Sequence, residues 1–312
     1  MTPGYSALMH GAAILDLSSR GRIRVTGEDR ARLLHAMTTN HIRQLQAGEG
    51  LYAFFLNAQG RIQADAYVLC FDDHFLLDTE PETRGLVYEH LDRYIIADDV
   101  TLEDVTEQTF CLGLEGAGAP ATAQAAGMPV PSAPFSHMVW GEYEVAAISA
   151  TGSPAARVYG PAPRLDEAIQ SLEAAGAVAA APEDAEIVRI QHFKARFGRD
   201  ITESTLPQES QQMHALHFQK GCYLGQEIVE RIRSRGHVNK HLMGFRLEGR
   251  TAPAKGTQLF TGGKEAGEVT SSAVCPEGNV YGLAYVRVPY NKPGVTVGIE
   301  GRPAELFAPA IV

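Results

Sequence analysis

From residue 241 onward the chain is a succession of short apolar runs, HLMGFRLEG, TQLFTG, EAGEVTSSAV and VYGLAYVRV, set apart by glycines and polar turns. Runs this short, rich in Val, Leu, Phe and Tyr and bounded by glycine, read as strands. With no helical pattern between them, their backbone groups must be satisfied by pairing with one another, and a small barrel or roll does this without leaving long free edges. Residues 241–312 are therefore predicted to form a C-terminal β-barrel domain. The chain has 312 residues, more than one hydrophobic core usually serves, so further domains must lie upstream.

The upstream pattern is mixed. RIRVT (22–26) alternates polar and apolar residues, Gly27 breaks it, and EDRARLLHAM carries Leu33, Leu34 and Met37 at helical spacing. LYAFFLNAQGRIQADAYVLCF (51–71) reads as a hairpin turning at Asn57–Gly60, with DDHFLLDT as a further strand. PETRGLVYEHLDRYI (81–95) reads as a helix with Pro81 in its first turn and Leu86, Leu91, Tyr94 and Ile95 inward. Residues 1–114 are read as an N-terminal α+β domain and 115–136, rich in Ala, Gly and Pro, as a flexible connection. Residues 137–240 are read as a second α+β segment, with helices over 164–176 and 182–198. The predicted class is α+β.

Several functions are disfavoured at once. No apolar run reaches the roughly 18–20 residues of a membrane helix. The start of the chain reads as neither a secretory nor a transit signal. Cys70, Cys111, Cys222 and Cys275 are far apart, without a CxxC pair, and so read as free thiols of a cytoplasmic protein with no resident metal. A net charge of −10 opposes general binding to nucleic acid. GAGAPA (116–121) loosely matches a dinucleotide fingerprint, but Pro120 and the surrounding composition argue against the helix that it requires. His214 and His217 share one spacing of a helix face without a third ligand nearby.

KGCYLGQEIVER (220–231) is the most constrained stretch. A thiol acts as nucleophile or ligand when ionised, and cations and helix N-termini favour that state. Lys220 is the expected cation, and Gly225 the expected start of a helix placing its positive end near Cys222. Gly221 and Gly225 admit close backbone approach. Glu227 and Arg231 are spaced as an ion pair, with Ile228, Val229 and Ile232 on the buried face. A small cysteine packed in a glycine-rich turn fits the same residues. Residues 220–241 carry a net +3 in an otherwise acidic chain; this is either an anion-binding patch or a solvated helix face.

These residues resemble the signature KGC-aromatic-x-GQE-x-x-x-R of YgfZ-type folate-binding proteins, relatives of the glycine-cleavage aminomethyltransferase or T-protein. RIRVTGEDRARLLHAMTTN, FLNAQGRIQADAYVL, LPQES, GEVTSS and GLAYVR are similar to that family's other segments, in the same order. The resemblance implies a ring of two α+β domains and a barrel around a tetrahydrofolate pocket. It implies that Asp65 is the one carboxylate left of a usual Asp-Asp pair, with Ala64 in place of the other. Gln191 stands where the transferase has a pterin-binding Glu, and Cys222 where T-proteins typically have Asp. Catalytic roles then fall to Cys222, Lys220 and Asp65. Ligand contacts fall to Asn57, Gln191, Gly221, Tyr223, Gly225, Gln226, Glu227 and Arg231. The implied function is a folate-binding accessory factor for iron–sulfur client proteins, among them radical-SAM enzymes that modify tRNA. Aminomethyl transfer and a folate-free thiol scaffold are the alternatives.

Overall fold

The computed structural model describes residues 1–308. Its first sheet has the order β3-β4-β5-β2-β6, formed by Gly50–Leu56 (β3), Ile62–Cys70 (β4), Phe75–Thr79 (β5), Gly21–Thr26 (β2) and Thr101–Asp104 (β6). All five pair antiparallel. Ile23 and Val25 on β2 are buried while Arg24 between them is exposed, the alternation read from the sequence. Helices Arg30–Met37 (α2) and Arg84–Tyr94 (α3) cover one face, with Leu33, Leu34, Val87 and Leu91 buried in the same core as Ala64, Ala66 and Val68. The inward stripe of α3 is Val87 and Leu91, one turn apart. Tyr94 is exposed and Leu86 and Ile95 are half-buried, because the helix ends at Tyr94 and Ile95 is extended.

The second sheet has the order β11-β1-β7-β10-β9-β8. It takes β1 (Ala13–Asp16) from the start of the chain and adds β7 (Thr109–Glu115), β8 (His137–Trp140), β9 (Tyr143–Ala146), β10 (Ala155–Pro161) and β11 (Val178–Ala179). Helix Leu165–Ala174 (α5) packs on its outer face. So does Ala119–Ala125 (α4), in the Ala/Gly/Pro stretch expected to lack regular structure. Pro120 sits in the first turn of α4, where the missing N–H costs nothing. Ala119 and Ala123 are buried. The glycines before α4 serve packing: a Cβ on Gly116 would lie 2.5 Å from the Gly11 carbonyl oxygen, and Gly118 donates its N–H to that oxygen. The close neighbours of Gly116 and Gly118 are backbone atoms of helix Pro3–His10 (α1) and of Gly11 after it.

The inner faces of the two sheets share one core, in which Tyr52, Phe54, Tyr67 and Leu69 meet Cys111, Ala146 and Tyr159. Helix Pro182–Gln191 (α6) follows; it stops short of the expected residue 198 because Phe193 is left-handed (φ 58°) and breaks the ladder. After α7 (Gln226–Arg235), six strands close into a barrel in the order β12-β15-β14-β13-β16-β17. These are Lys240–Glu248 (β12), Gln258–Thr261 (β13), Lys264–Val274 (β14), Asn279–Arg287 (β15), Thr296–Ile299 (β16) and Arg302–Phe307 (β17). Leu242, Leu283 and Tyr285 on its wall pack against Phe193 after α6. No helix among the described residues is long and apolar enough to cross a membrane.

Candidate functional site

A cavity of about 300 Å³ opens where the inner faces of the sheets meet α6. Strand alternation decides which side chains reach it. On β4, Ala64, Ala66 and Val68 enter the apolar core under α2 and α3, whereas Asp65 and Tyr67 face the cavity. Ala64 therefore does not mark a carboxylate lost from the cavity: a side chain there points to the opposite face of the sheet.

Asp65 is buried, and Tyr52 Oη on β3 donates to its Oδ2 at 2.5 Å. Burial, then the neighbouring Glu80 charge, pushes the Asp65 carboxyl up to about 6, against the opposing pull of the Tyr52 hydrogen bond, Arg20 and Lys194. Beneath it lies a dense ionic floor. Asp78 accepts from Arg20 Nε at 2.5 Å, Arg157 Nη1 at 2.7 Å and Tyr159 Oη at 2.6 Å. Burial alone would raise Asp78, but its two arginines and Tyr159 outweigh that and hold it at about 2. Glu80 is bound by Arg20 and, at 2.8 Å, by Arg196; together they overcome its burial and lower its pKa. The floor thus stays ionised while Asp65 keeps its proton up to about pH 6.

The far wall comes from α6 and the loop after it. Glu186 and Arg189, one turn apart, line the cavity and bind each other. Gln191 does not line it. Two residues past Arg189 it lies about 200° further round the helix, and its Oε1 accepts from Tyr5 Oη at 3.1 Å. Lys194 reaches the cavity and makes no ion pair among the described residues; its Nζ lies 5.7 Å from the centre of the Tyr67 ring, with Arg157 at 5.0 Å. Sequence reasoning thus found Asp65 but missed Tyr52, Tyr67, Glu80, Glu186 and Lys194. The alternation that isolates Asp65 also carries Tyr67, so that one was within reach.

The cysteine motif lies elsewhere. Cys222 is exposed, whereas Cys70, Cys111 and Cys275 are buried, and none of residues 220–231 lines the cavity. The motif is instead docked on α2 and on the tip of the β3–β4 hairpin. Lys220 does not turn its ammonium to the thiol; Nζ donates to the carbonyls of His35 and Thr38, each at 2.5 Å, at the C-terminal end of α2. There the helix dipole favours a cation. Burial nevertheless brings the Lys220 pKa down to about 7. Tyr223 is buried with that ammonium 4.7 Å over its ring, and Leu224 N–H binds Ala36 O.

Gly225 does open α7, with φ +82°; a Cβ there would lie 2.5 Å from Asn57 O. The Asn57 side chain closes the hairpin turn, accepting from the N–H groups of Gln59 and Arg61 at 3.0 Å each, and does not reach the cavity. Glu227 and Arg231 form no ion pair; on α7 that pair is Glu230–Arg233. Val229 is buried while Ile228 and Ile232 are half-buried, Ile228 covering Gly60. Gln226 lies half-buried beside them. His214 stacks near Tyr52 and His217 near His41, so the two do not converge. Among the described residues no group of three or more His, Cys, Asp or Glu is placed to hold a metal ion.

Two facing sheets with a protonatable carboxyl between them, followed by a closed six-stranded barrel, define a protein of the aminomethyltransferase-like fold. The chain superposes on the glycine cleavage aminomethyltransferase T of Bartonella henselae with a TM-score of 0.86 at 19% identity, covering 98% of this chain and 87% of that one. The GCVT N-terminal domain model matches residues 4–220 and the glycine cleavage T-protein C-terminal barrel domain model matches 240–310. The protein belongs to the glycine cleavage T-protein (GCVT) family. It is 29% identical to the aminomethyltransferase of Rubrobacter xylanophilus, over 96% of this chain and 82% of that protein. It is 25% identical to the aminomethyltransferase of Desulforamulus reducens, over 97% and 86% respectively.

Proposed function

We propose that this protein binds a reduced folate in the central cavity and, as a YgfZ-type member of its family, serves iron–sulfur client proteins through Cys222. Radical-SAM enzymes that modify tRNA are the client class. The observation that carries this reading is the separation of the two sites: one exposed cysteine on a firmly docked loop, away from a cavity built around Asp65. A thiol outside the pocket is placed to meet another protein.

The donor set suits tetrahydrofolate. Asp65 and Glu186 offer acceptors to the N–H groups of an aminopyrimidine ring. Tyr52 and Tyr67 offer aromatic faces, and Lys194 offers a cation to the carboxylates of the tail. At about 300 Å³ the cavity is at the small end of ligand pockets (roughly 300–1,000 Å³) and suits the ring portion. When bound, tetrahydrofolate supplies nitrogens that carry a one-carbon unit. Asp65, pushed up to about 6, can take up or return a proton near neutral pH.

That last property also favours a second reading, one-carbon transfer within the cavity. The test is anaerobic calorimetry with tetrahydrofolate on the wild type, Asp65→Asn and Cys222→Ser, followed by client reactivation and a one-carbon transfer assay. Binding should survive Cys222→Ser and weaken in Asp65→Asn, while client reactivation is lost in Cys222→Ser. No binding by the wild type would overturn the folate reading. Transfer from an aminomethyl donor that persists in Cys222→Ser would establish the second.

A further inference from the structure

The loop that carries Cys222 lies on a cluster of bases that the folate cavity does not use. His35 and His41 stack edge to face with ring centres 4.7 Å apart, and His41 and His217 do so at 4.9 Å. His35 is 6% exposed, and its Nδ1 is buried with no hydrogen-bond partner; His41 Nδ1 is likewise buried and unpartnered. The other nitrogen of His35, Nε2, lies beneath the loop, 3.6 Å from where a Cβ on residue 221, the neighbour of Cys222, would sit.

The charged groups that act on His35 are all basic: Lys220, His41, Arg43 and His217. Arg43 is exposed and makes no ion pair among the described residues. Glu230, the carboxylate that acts on Tyr223 in the same loop, is already engaged by Arg233 at 3.1 Å. Gly221 and Cys222 are exposed residues, and their N–H groups donate to no protein acceptor among the described residues. Burial, and then Lys220 and the other bases, push His35 down to about 4, and Lys220 is itself lowered by burial and Arg43. The neighbours that act on His35 are basic, and none of them pairs with a carboxylate among the described residues. Free backbone donors beside basic side chains can receive an anion.

We propose that the Cys222 loop is an anion-binding site, in which Gly221 N–H, Cys222 N–H, His35 Nε2, His217 and Arg43 receive a carboxylate or oxyanion and bring it against the thiol. The group that approaches Cys222 is then anionic, such as an acidic thiol-reactive ligand. This proposal stands independently of folate binding, since none of its residues lines the cavity.

The test compares alkylation of Cys222 by iodoacetate, an anion, and iodoacetamide, its neutral counterpart. In both, thiolate sulfur attacks the methylene carbon, iodide leaves and the thiol proton goes to solvent. The buried Cys70, Cys111 and Cys275 report separately by peptide mass mapping. One cationic side chain within several ångströms of the thiol, acting through water, should raise the iodoacetate-to-iodoacetamide rate ratio about threefold over a cysteine-containing peptide. Raising salt should shrink this excess, as should Arg43→Gln and His217→Gln, and inorganic phosphate should compete with iodoacetate. Arg43 is exposed, so the folding of that variant is checked by its melting curve and the ratio remains interpretable. A ratio equal to that of the peptide overturns the proposal. So does a raised ratio insensitive to salt, phosphate and both substitutions, which would place the field elsewhere.

Discussion

Replacing Asp65 by Asn tests the core of the cavity description without altering its shape. The carboxyl, ordinarily near 3.8, is pushed up to about 6, so the fold binds its proton more tightly than the unfolded chain does. For an acid raised in this way, the favourable contribution is complete below about pH 4 and is lost as pH rises through 6. Above that, the native state holds a buried carboxylate whose ionisation costs about 3 kcal/mol relative to the unfolded chain. Asn keeps an oxygen to accept from Tyr52 Oη but never ionises. Urea unfolding of wild type and Asp65→Asn, followed by far-UV circular dichroism from pH 4 to pH 8, should therefore show a difference that grows through pH 5–6. At pH 8 the variant should be the more stable, by up to about 3 kcal/mol. A carbon-13 titration of the Asp65 carboxyl should place its midpoint near 6. A flat difference across this range, or a variant less stable throughout, would refute the assignment of a buried protonatable acid. Stability given up at a functional carboxyl is the usual price of a poised one.

Asp78→Asn leaves Arg20 and Arg157 buried without their shared carboxylate and should cost about 3–5 kcal/mol at neutral pH, read by the same unfolding experiment. Because Asp78 is held at about 2, the wild type should lose about 2.5 kcal/mol as pH falls from about 4 through 2, and the variant should not. Gly225→Ala puts a Cβ at φ +82°, 2.5 Å from Asn57 O, and should destabilise by at least about 1–3 kcal/mol. It should also loosen the motif loop, measurable as faster limited proteolysis between residues 219 and 236 than in the wild type.

Much of the fold was legible because its signals are local. The alternation in 22–26, the hairpin turn at Asn57–Gly60 and the glycine-separated strands after 241 depend on neighbours a few residues apart. Helix α4 was not legible, since Ala119 and Ala123 carry little apolar signal and are buried only because the second sheet lies beneath them. The end of α6 was misjudged for a similar reason: Phe193 turns left-handed where it packs against Leu242, Leu283 and Tyr285 of the barrel.

For the site, the residue types near Asp65 and Cys222 pointed to proton handling and thiol chemistry. Which side chains carry chemistry, and which short segments become strands or helices, could be read from residue types, because hydrophobic period and turn residues act over a few positions. Which of those side chains meet depends on long-range packing. Arg20, Tyr52, Asp65, Glu80, Glu186 and Lys194 share one cavity only because two sheets and α6 close on it. Gly225 against the hairpin and Lys220 under α2 hold Cys222 outside that cavity. The pKa of Asp65 was undecided until then, since burial and the Glu80 charge arise only when distant segments pack together.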